Sequence, residues 1–253
     1  MINRHTRILE ALAKKQRIEV AALAAMLDVS QVTVRKDLDQ LEERGLIRRE
    51  HGFASIDTVD DVGKRLAYNY HIKQRIAAVA AKSVEEGETV LLESGSCCAL
   101  LAEELANTKR NVTIVTNSAF IANHIRHAPH GKIVLLGGYY QAGSQVTVGP
   151  ITCKCAEVFF ADKFFIGVDG FTEKYGFTGK DHLRAQTVRE LTKQARHVLV
   201  LTDSEKFSHQ GVVGLLAAEV VSMVYTDDNI PPEKEAFLVE KNITVHKVRS
   251  NED

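Results

Sequence analysis

Small polar residues suited to holding an anion follow a short apolar run near the middle of the chain. The segment Glu93-Ser94-Gly95-Ser96-Cys97 comes directly after Val90-Leu91-Leu92 and precedes a helical pattern. Glycine and hydroxyl-bearing residues at the start of a helix leave backbone N–H groups available, and these suit a phosphate. A short glycine-serine loop is also a common tight turn, so by itself it is weak evidence for an anion site.

Four further polar segments each follow another apolar run. They are Thr116-Asn117, Gly137-Gly138, Asp169-Gly170 and Thr202–Phe207, the last of which contains Lys206. Each has a plain structural explanation as a helix cap, a bend or a turn. The carboxyl ends of parallel strands share one edge of a sheet, so five such segments together predict a ligand pocket at that edge. Lys206 would add the fixed positive charge that a phosphorylated ligand needs.

The elements that would position these residues alternate along the second part of the chain. Strands are predicted at Thr89–Leu92, Val112–Thr116, Lys132–Leu136, Lys163–Val168, Val198–Thr202, Met223–Thr226 and Thr244–Val248. Helices are predicted near 98–107, 118–127, 150–160, 180–195 and 233–240. Apolar strands separated by helices indicate a mostly parallel α/β sheet covered on both faces.

A second set of residues, near the N-terminus, has the chemistry to contact DNA. The pattern predicts a helix over 3–15, an extended segment from Arg17 and a short helix over Val20–Leu27. Ser30 suits an N-cap, and the helix that follows runs from Gln31 to about Arg44. Two short strands around a turn at His51-Gly52 then form a wing. This order is that of a winged helix-turn-helix.

The second helix of such a motif presents its first residues to the major groove. Those residues are Ser30, Gln31, Thr33, Arg35 and Lys36. Gln pairs with adenine and Arg with guanine, whereas Lys36, Arg48, Arg49 and His51 are better placed for phosphates. Polar residues on a helix face are often only a solvated surface. Cap, turn, wing and basic residues within one short unit favour DNA binding.

Length and composition fit two domains. The chain has 253 residues, of which 45% are hydrophobic and 26% charged, and this is enough for sizeable cores. The acidic, turn-rich stretch from Asp57 predicts a DNA-binding domain at 1–56, a hinge at 57–70 and an effector domain at 71–253. Residues 1–53 contain ten basic and eight acidic residues, which give this segment a net charge of +2. Because the whole chain has a net charge of −1, the remainder carries a net charge of −3.

Several classes of protein are not favoured by the sequence. No apolar run reaches the roughly 18 residues of a membrane helix, and no apolar signal region opens the chain, so we expect a cytoplasmic protein with no membrane partner. Cys97-Cys98 and Cys153-x-Cys155 lack the usual zinc spacing. We therefore expect buried thiols, no metal and no cofactor.

The chain resembles the DeoR family of bacterial sugar-metabolism regulators, which are usually repressors. The N-terminal resemblance covers Arg7–Gly52 and includes Val29-Ser30, Thr33–Leu38, Gly45-Leu46 and His51-Gly52. The second resemblance runs from about Glu93 to Phe207. It includes Ser94–Ser96, Thr116–Ser118, Leu136–Gly138, Val148–Pro150, Phe165–Gly170, Gly176–Thr178 and Thr202–Phe207.

The resemblance implies an effector domain similar to ribose-5-phosphate isomerase, a phosphorylated sugar or related metabolite as ligand, operator DNA as partner and a dimeric or tetrameric homo-oligomer. It implies a phosphate loop at Ser94–Cys97. Sugar hydroxyls would meet Asp169 and Thr116-Asn117, with Thr178 and Lys206 nearby. The family loop usually begins with Asp and continues Ser-Gly-Thr-Thr, whereas this chain has Glu93 and Cys97-Cys98, which favours a bulkier, less strongly anchored or different ligand.

Two other functions remain open at this point. Asp169, Glu173, Asp203 and Lys206 have the groups for acid–base chemistry, so one alternative is a sugar-phosphate isomerase with an appended DNA-binding module. Fold does not dictate function, and spacing alone does not identify a carboxylate at a transferred proton. The other alternative is redox sensing by Cys97-Cys98, because a thiol at a helix N-terminus can have a lowered pKa.

Overall fold

The computed structural model describes residues 4–56 and 62–250. Contacts divide the chain into two compact units, Met1–His71 and Ile72–Asp253. The predicted hinge at 57–70 lies partly outside the described residues, because 57–61 are not among them. In its remaining part, helix α4 occupies Val62–Ala67 and helix α5 begins at Tyr70. The later part of the predicted hinge is therefore helical.

The first unit is a small helical bundle with a three-stranded sheet. Its elements are α1 (Arg4–Lys15), β1 (Arg17–Glu19), α2 (Val20–Leu27), α3 (Gln31–Glu43), β2 (Arg48–Glu50), β3 (Phe53–Ser55) and α4. The strands are antiparallel in the order β1-β3-β2. The predicted winged helix-turn-helix is confirmed, including the wing that turns at Gly52, whose φ is +76°.

Helix α3 forms where its sequence predicts, because its cap and its apolar stripe agree. The Thr33 N–H donates to Ser30 Oγ at 3.1 Å, which makes Ser30 the N-cap. Val34, Leu38 and Leu41 are fully buried on one face. Gly45 follows the helix with φ +71°, a conformation that costs glycine little.

A buried carboxylate joins α3 to α1. Arg4 donates to both oxygens of Asp37, through Nη2 at 2.8 Å and through Nε, and His5 Nε2 lies 3.2 Å from Asp37 Oδ1. Burial acts to raise the pKa of Asp37, but the hydrogen bond and charge of Arg4, followed by those of His5, outweigh it. The pKa of this carboxyl therefore lies below its usual value. The ion pair fixes the start of α1 against the face of α3 opposite its exposed side.

The second unit is built on a seven-stranded parallel sheet. Its strands are β4 (Thr89–Leu92), β5 (Thr113–Thr116), β6 (Lys132–Leu135), β9 (Ala161–Ile166), β12 (Ala195–Leu201), β14 (Met223–Asp227) and β15 (Thr244–Val248), in the order β15-β14-β12-β9-β4-β5-β6. Every neighbouring pair is parallel. All seven predicted strands are present, which confirms the expected α/β class.

Helices precede and separate these strands along the chain. They are α5 (Tyr70–Ala81), α6 (Ser96–Thr108), α7 (Ala119–His124), α8 (Pro150–Ala156), α9 (His182–Leu191) and α10 (Pro232–Glu240). The strand order proceeds from β4 to β5 and β6 in one direction and from β9 to β12, β14 and β15 in the other. Because parallel crossovers are right-handed, this reversal puts α6 and α7 on one face and α9 and α10 on the other. The reversal point lies between β4 and β9, where open α/β sheets bind ligands.

Five short strands lie outside the sequence-based prediction. They are β7 (Tyr139–Gln141), β8 (Val146–Val148), β10 (Gly170–Thr172), β11 (Gly176–Gly179) and β13 (Val213–Leu216). Each has only three or four residues, and three of them contain glycine, so their sequences carry little strand signal. The β10-β11-β13 sheet packs an aromatic cluster in which the Phe171 ring lies 5.0 Å from Phe177 and 5.5 Å from Phe207.

Candidate functional site

In the first unit, the start of α3 exposes most of the residues expected to read DNA. Ser30, Gln31, Arg35 and Lys36 are exposed, and Thr33 is half-buried. Arg35 Nη2 lies 3.4 Å from Gln31 Oε1, so these two side chains lean against one another one helical turn apart. Val32 is 60% exposed beside them, and a valine in this place suits contact with a thymine methyl group.

The wing carries the residues expected to contact phosphates, but not all are equally available. Arg48 and His51 are exposed at its surface. Arg49 is half-buried and pairs with Asp39, while its backbone N–H donates to Glu42 Oε1 at 2.8 Å. Arg49 therefore holds the wing against α3 in this structure.

In the second unit, the loop after β4 is closed by an ion pair that the sequence did not predict. Glu93 and Ser94 are buried, and Ser94 Oγ donates to Glu93 Oε1 at 2.6 Å. Arg184, in the first turn of α9, donates from Nη2 to Glu93 Oε1 at 2.9 Å and to Ser94 Oγ at 3.0 Å. Asp181 fixes that turn because it accepts from the Arg184 N–H at 2.8 Å.

Two glycines let the loops after β4 and β9 touch. A Cβ on Gly95 would lie 2.7 Å from Gly167 Cα, and one on Gly167 would lie 2.6 Å from Gly95 Cα. Gly95 is also the N-cap of α6, so the first N–H groups of α6 face this junction. Only residues without side chains allow the two backbones to come so close.

A small cavity lies at this junction. It has a volume of about 10 Å³ and is lined by Glu93, Gly167, Asp169, Gly179, Lys180, Asp181, Arg184 and Leu215. Asp169 Oδ2 accepts from the Lys180 N–H at 3.1 Å. The structure thus brings Glu93 and Asp169, both predicted to bind an effector, to one cavity beside the loop Ser94–Ser96.

A second charged group surrounds Cys97 in the first turn of α6. The Lys73 ammonium lies 3.6 Å from Asp203 Oδ2, and both side chains are 4% exposed. Asp227 accepts from the Ser204 N–H and hydroxyl, each at 2.7 Å, which fixes the loop that carries Lys206. Lys206 is half-buried, and its charge acts on Cys97 together with those of Lys73, Asp203 and Asp227.

The environment of Cys97 opposes a reactive thiolate. Burial raises the pKa of its thiol to about 12, with Asp203 and Asp227 adding to the rise and Lys73 and Lys206 working against it. Redox chemistry needs the thiolate and access to solvent. The four cysteines are unbridged, and Cys97 and Cys98 are buried as expected, whereas Cys153 and Cys155, which were also expected to be buried, are only partly buried on helix α8.

The side chains of Thr116 and Asn117 form hydrogen bonds within the protein. The Thr116 hydroxyl donates to the Leu92 carbonyl at 2.7 Å and accepts from the Ser118 N–H at 3.0 Å. Asn117 Nδ2 donates to the Thr147 carbonyl at 2.9 Å. Within residues 4–56 and 62–250, buried Asn117 Oδ1 meets no hydrogen-bond donor. Asn117 therefore has an acceptor atom that a ligand could use.

The remaining predicted positions do not line the cavity. A Cβ on Gly138 would lie 1.9 Å from Thr152 Oγ1, so this glycine is needed for packing against α8, and Gly137 beside it is exposed. Thr178 Oγ1 accepts from the Gly211 N–H at 2.8 Å. A Cβ on Gly170 would lie 2.4 Å from the His209 carbonyl oxygen. Any role for them in ligand binding remains a prediction.

Sequence reasoning missed Arg184 and Lys73, although each leaves a trace in the sequence. Lys73 stands on the stripe formed by Ile76, Ala77 and Ala80, which are buried, and a lysine on such a stripe requires a partner. Arg184 comes three residues after Asp181, at the start of a helix where a cation is unfavourable unless an anion compensates it. Both signals indicate an internal carboxylate without identifying which.

In the part that the structure describes, no three His, Cys, Asp or Glu side chains come together as a metal-binding group. Along those residues, too, no helix combines the length and the apolar character needed to cross a bilayer.

Comparison with known families and proteins matches both units. Residues 4–59 match the DeoR-like helix-turn-helix domain, and residues 68–228 match the DeoR C-terminal sensor domain. The chain is 29% identical over 231 residues to the HTH-type transcriptional regulator GolR of Listeria innocua, covering 90% of this chain and 91% of that protein. It is 28% identical over 243 residues to the glycerol-3-phosphate regulon repressor of Escherichia coli, covering 95% of this chain and 96% of that protein.

Solved structures with a similar chain trace include ribose 5-phosphate isomerase A of Methanocaldococcus jannaschii. That match has 20% identity and a TM-score of 0.41 and covers 55% of each chain. The two family models together span most of the chain in the order that the fold shows. This chain belongs to the DeoR family, with a DeoR-like helix-turn-helix followed by a DeoR C-terminal sensor domain.

Proposed function

We propose that this chain is a transcriptional repressor of carbohydrate-metabolism genes whose affinity for operator DNA is controlled by a phosphorylated sugar or a related metabolite. The observation that carries the proposal is the division of α3 into two faces. Val34, Leu38 and Leu41 are fully buried, whereas Gln31, Arg35 and Lys36 are exposed at its start. A helix-turn-helix uses that end of its second helix to contact base edges.

The sensor half of the proposal rests on the cleft at the β4–β9 reversal. Glu93, Asp169 and Arg184 converge there beside the start of α6. Charged side chains, a helix N-terminus and the reversal point of a parallel sheet together favour a small polar anion. The names of the relatives, one of which is a glycerol-3-phosphate regulon repressor, support a phosphorylated metabolite as the effector.

The effector can control DNA binding if its affinity differs between two arrangements of the protein. A ligand that binds one arrangement of a homo-oligomer more tightly shifts the population toward it, and a coupling of about 1–3 kcal/mol changes operator affinity roughly 5- to 150-fold. We propose a dimer or tetramer acting in the cytoplasm, because paired recognition helices bind paired half-sites on double-stranded DNA.

No described contact favours the isomerase alternative. Glu173, one of its candidate acids, is half-exposed and pairs with Lys234 at 3.0 Å, and it does not line the cavity beside Glu93. Asp203 is held by Lys73. We therefore propose that the cleft binds its ligand without turnover.

The test is selection of DNA by the purified full-length protein from a pool of random duplexes. The duplex enriched in this way is then titrated by fluorescence anisotropy, with and without millimolar sugar phosphates. We expect one enriched sequence, bound more tightly at low salt, and weaker binding with at least one sugar phosphate. Failure to enrich a sequence contradicts the DNA-binding half, and an affinity unchanged in either direction by every sugar phosphate contradicts the effector half.

A further inference from the structure

We propose that the Glu93 carboxylate is an internal substitute for the anionic group of the effector, and that Arg184 is the residue that exchanges one for the other. The inference rests on the effector-controlled function proposed above and assigns a specificity-determining role within its cleft. Arg184 Nη2 and Ser94 Oγ both donate to one oxygen, Glu93 Oε1, at 2.9 and 2.6 Å. A carboxylate thus already receives the two donors that a ligand anion at this loop would receive.

The size of the cavity requires this exchange. With Arg184 on Glu93, the cavity measures about 10 Å³, about the space of a single water molecule. The Arg184 and Glu93 side chains are 11% and 3% exposed, so they fill the crevice where the loops after β4 and β9 meet. A sugar phosphate fits here only if the Arg184 side chain moves.

The charges that line the cavity make Arg184 essential for binding an anion there. Three carboxylates, those of Glu93, Asp169 and Asp181, face two cations, Lys180 and Arg184. The Asp181 carboxylate accepts a hydrogen bond from the first turn of α9, and the Asp169 carboxylate accepts one from the Lys180 N–H. Removing the guanidinium leaves a strongly negative cavity, whereas removing the charge of Glu93 leaves one more favourable to a phosphate.

The chemistry of the exchange favours a phosphate over a neutral sugar. A guanidinium binds a phosphate through two parallel N–H···O bonds, and a dianion attracts it more strongly than a carboxylate does. Once Arg184 turns to the phosphate, the carboxylate of Glu93 is available to accept hydrogen bonds from sugar hydroxyls. The parent sugar, which has no anion, gains nothing from Arg184 and must still displace it.

The experiment compares affinities for phosphorylated and parent compounds in the intact protein. Ribose 5-phosphate, fructose 6-phosphate and glycerol 3-phosphate, each beside its unphosphorylated parent, are titrated calorimetrically into wild-type protein, Arg184→Ala, Arg184→Lys and Glu93→Gln. The readout is the ratio of affinities within each pair. Arg189→Ala is the matched control, since Arg189 lies on the same helix and donates instead to the Gly214 carbonyl outside the cavity.

We expect the two sides of the ion pair to act in opposite directions. Arg184→Ala should lower the preference for the phosphorylated compound roughly 10- to 100-fold, as for loss of a charge-assisted hydrogen bond, and Arg184→Lys should lower it less. Glu93→Gln should raise the preference about tenfold, because the competing charge is gone. Arg189→Ala should keep the wild-type ratio.

Each contrary outcome has its own meaning. If Arg184→Ala and Glu93→Gln lower the preference together, or neither changes it, Glu93 does not compete with the ligand and the inference is wrong. If both variants only lower the melting temperature and leave the ratios unchanged, the ion pair is structural. If wild-type protein binds none of the six compounds and none alters operator affinity, the proposed effector control fails, and this inference fails with it.

Discussion

The ammonium of Lys73 lies 3.6 Å from the carboxylate of Asp203, and both side chains are almost fully buried. The pair joins α5 to the loop that follows β12. Among the described residues no hydrogen-bond donor reaches Asp203 Oδ1, so Lys73 is the main compensation for this carboxylate. Burying two charges is costly, and removing one of them leaves the other uncompensated.

Lys73→Met should therefore destabilise the second unit by about 3–5 kcal/mol, and Lys73→Met/Asp203→Asn should recover most of that loss. Urea unfolding at pH 7, followed by circular dichroism, measures both. Lys193→Met is the control, since Lys193 pairs with Glu190 on the surface and should leave the free energy of unfolding nearly unchanged. A double variant as unstable as the single one would show that Asp203 is not the reason for the loss.

Arg35→Ala should relax specificity at one base position of the selected operator. Arg35 is exposed in the second turn of α3, and loss of a bidentate contact with guanine costs about 1–3 kcal/mol at that position. Fluorescence anisotropy against single-base variants of the duplex measures it. Lys36→Ala is the comparison and should weaken all sequences alike while reducing the salt dependence. Uniform weakening by Arg35→Ala would make it a phosphate contact.

Ser30→Ala should destabilise the first unit by about 0.5–2 kcal/mol, because the Thr33 N–H loses the hydroxyl that caps α3. Ser30→Gly should cost only a few tenths of a kcal/mol, since glycine is tolerated at this position. Thermal unfolding of both variants measures the difference. Equal melting temperatures for Ser30→Ala and wild type would show that the cap contributes nothing.

Asp37→Asn should lower the melting temperature, and the size of the effect should depend on pH. The pKa of Asp37 is lowered in the folded chain, whereas an unfolded aspartate titrates at about 3.9. The carboxylate therefore contributes its full stabilisation above about pH 4, and that contribution disappears as the pH falls through the lowered folded pKa. The difference between wild type and variant should be largest near neutral pH and shrink in acid.

The pH series for Asp37→Asn needs a carboxylate without such contacts as its control. Asp28 is exposed at the end of α2 in the left-handed conformation that asparagine also accepts. Asp28→Asn should leave the melting temperature nearly unchanged throughout. A constant difference for Asp37→Asn between pH 7 and pH 3 would contradict a lowered pKa.

Gly95→Ala should distort the cleft, because the new methyl group would lie 2.7 Å from Gly167 Cα and only backbone can give way. Overpacking of this kind costs about 1–3 kcal/mol, and we expect binding of sugar phosphates to weaken with it. Gly143→Ala is the control, since no atom lies within 4 Å of its added Cβ. Calorimetric titration and urea unfolding, run on both variants, measure binding and stability.

The sequence predicted the elements well where local signals agreed. Ser30 and Gly45 marked the ends of α3, and Thr244–Val248 was predicted with the bounds that the structure has. Those features depend on residues close together in the chain. The apolar strands of a buried parallel sheet are also long and continuous enough to stand out.

The details of the cleft were less predictable, for a physical reason. Arg184 meets Glu93, and Lys73 meets Asp203, only after strands far apart in the sequence have paired. Thr116 resembled a ligand residue because it is the last residue of a strand, yet its hydroxyl donates to the Leu92 carbonyl. In the sequence, a polar residue at a strand end looks the same whether its side chain faces a ligand or supports a loop.

The adjacency of β4 and β9 has a consequence for how the protein is made. Val90 pairs with Lys163, and this pairing brings together the loops after β4 and β9 that form the cleft. During synthesis, the winged helix has all its strands and its recognition helix once Ser55 has left the ribosome, so it is free to fold first. The cleft must wait until β9 emerges, so β4 lacks its neighbour on that side while residues 93–160 are being made, and this unpaired strand edge is exposed to aggregation during that interval.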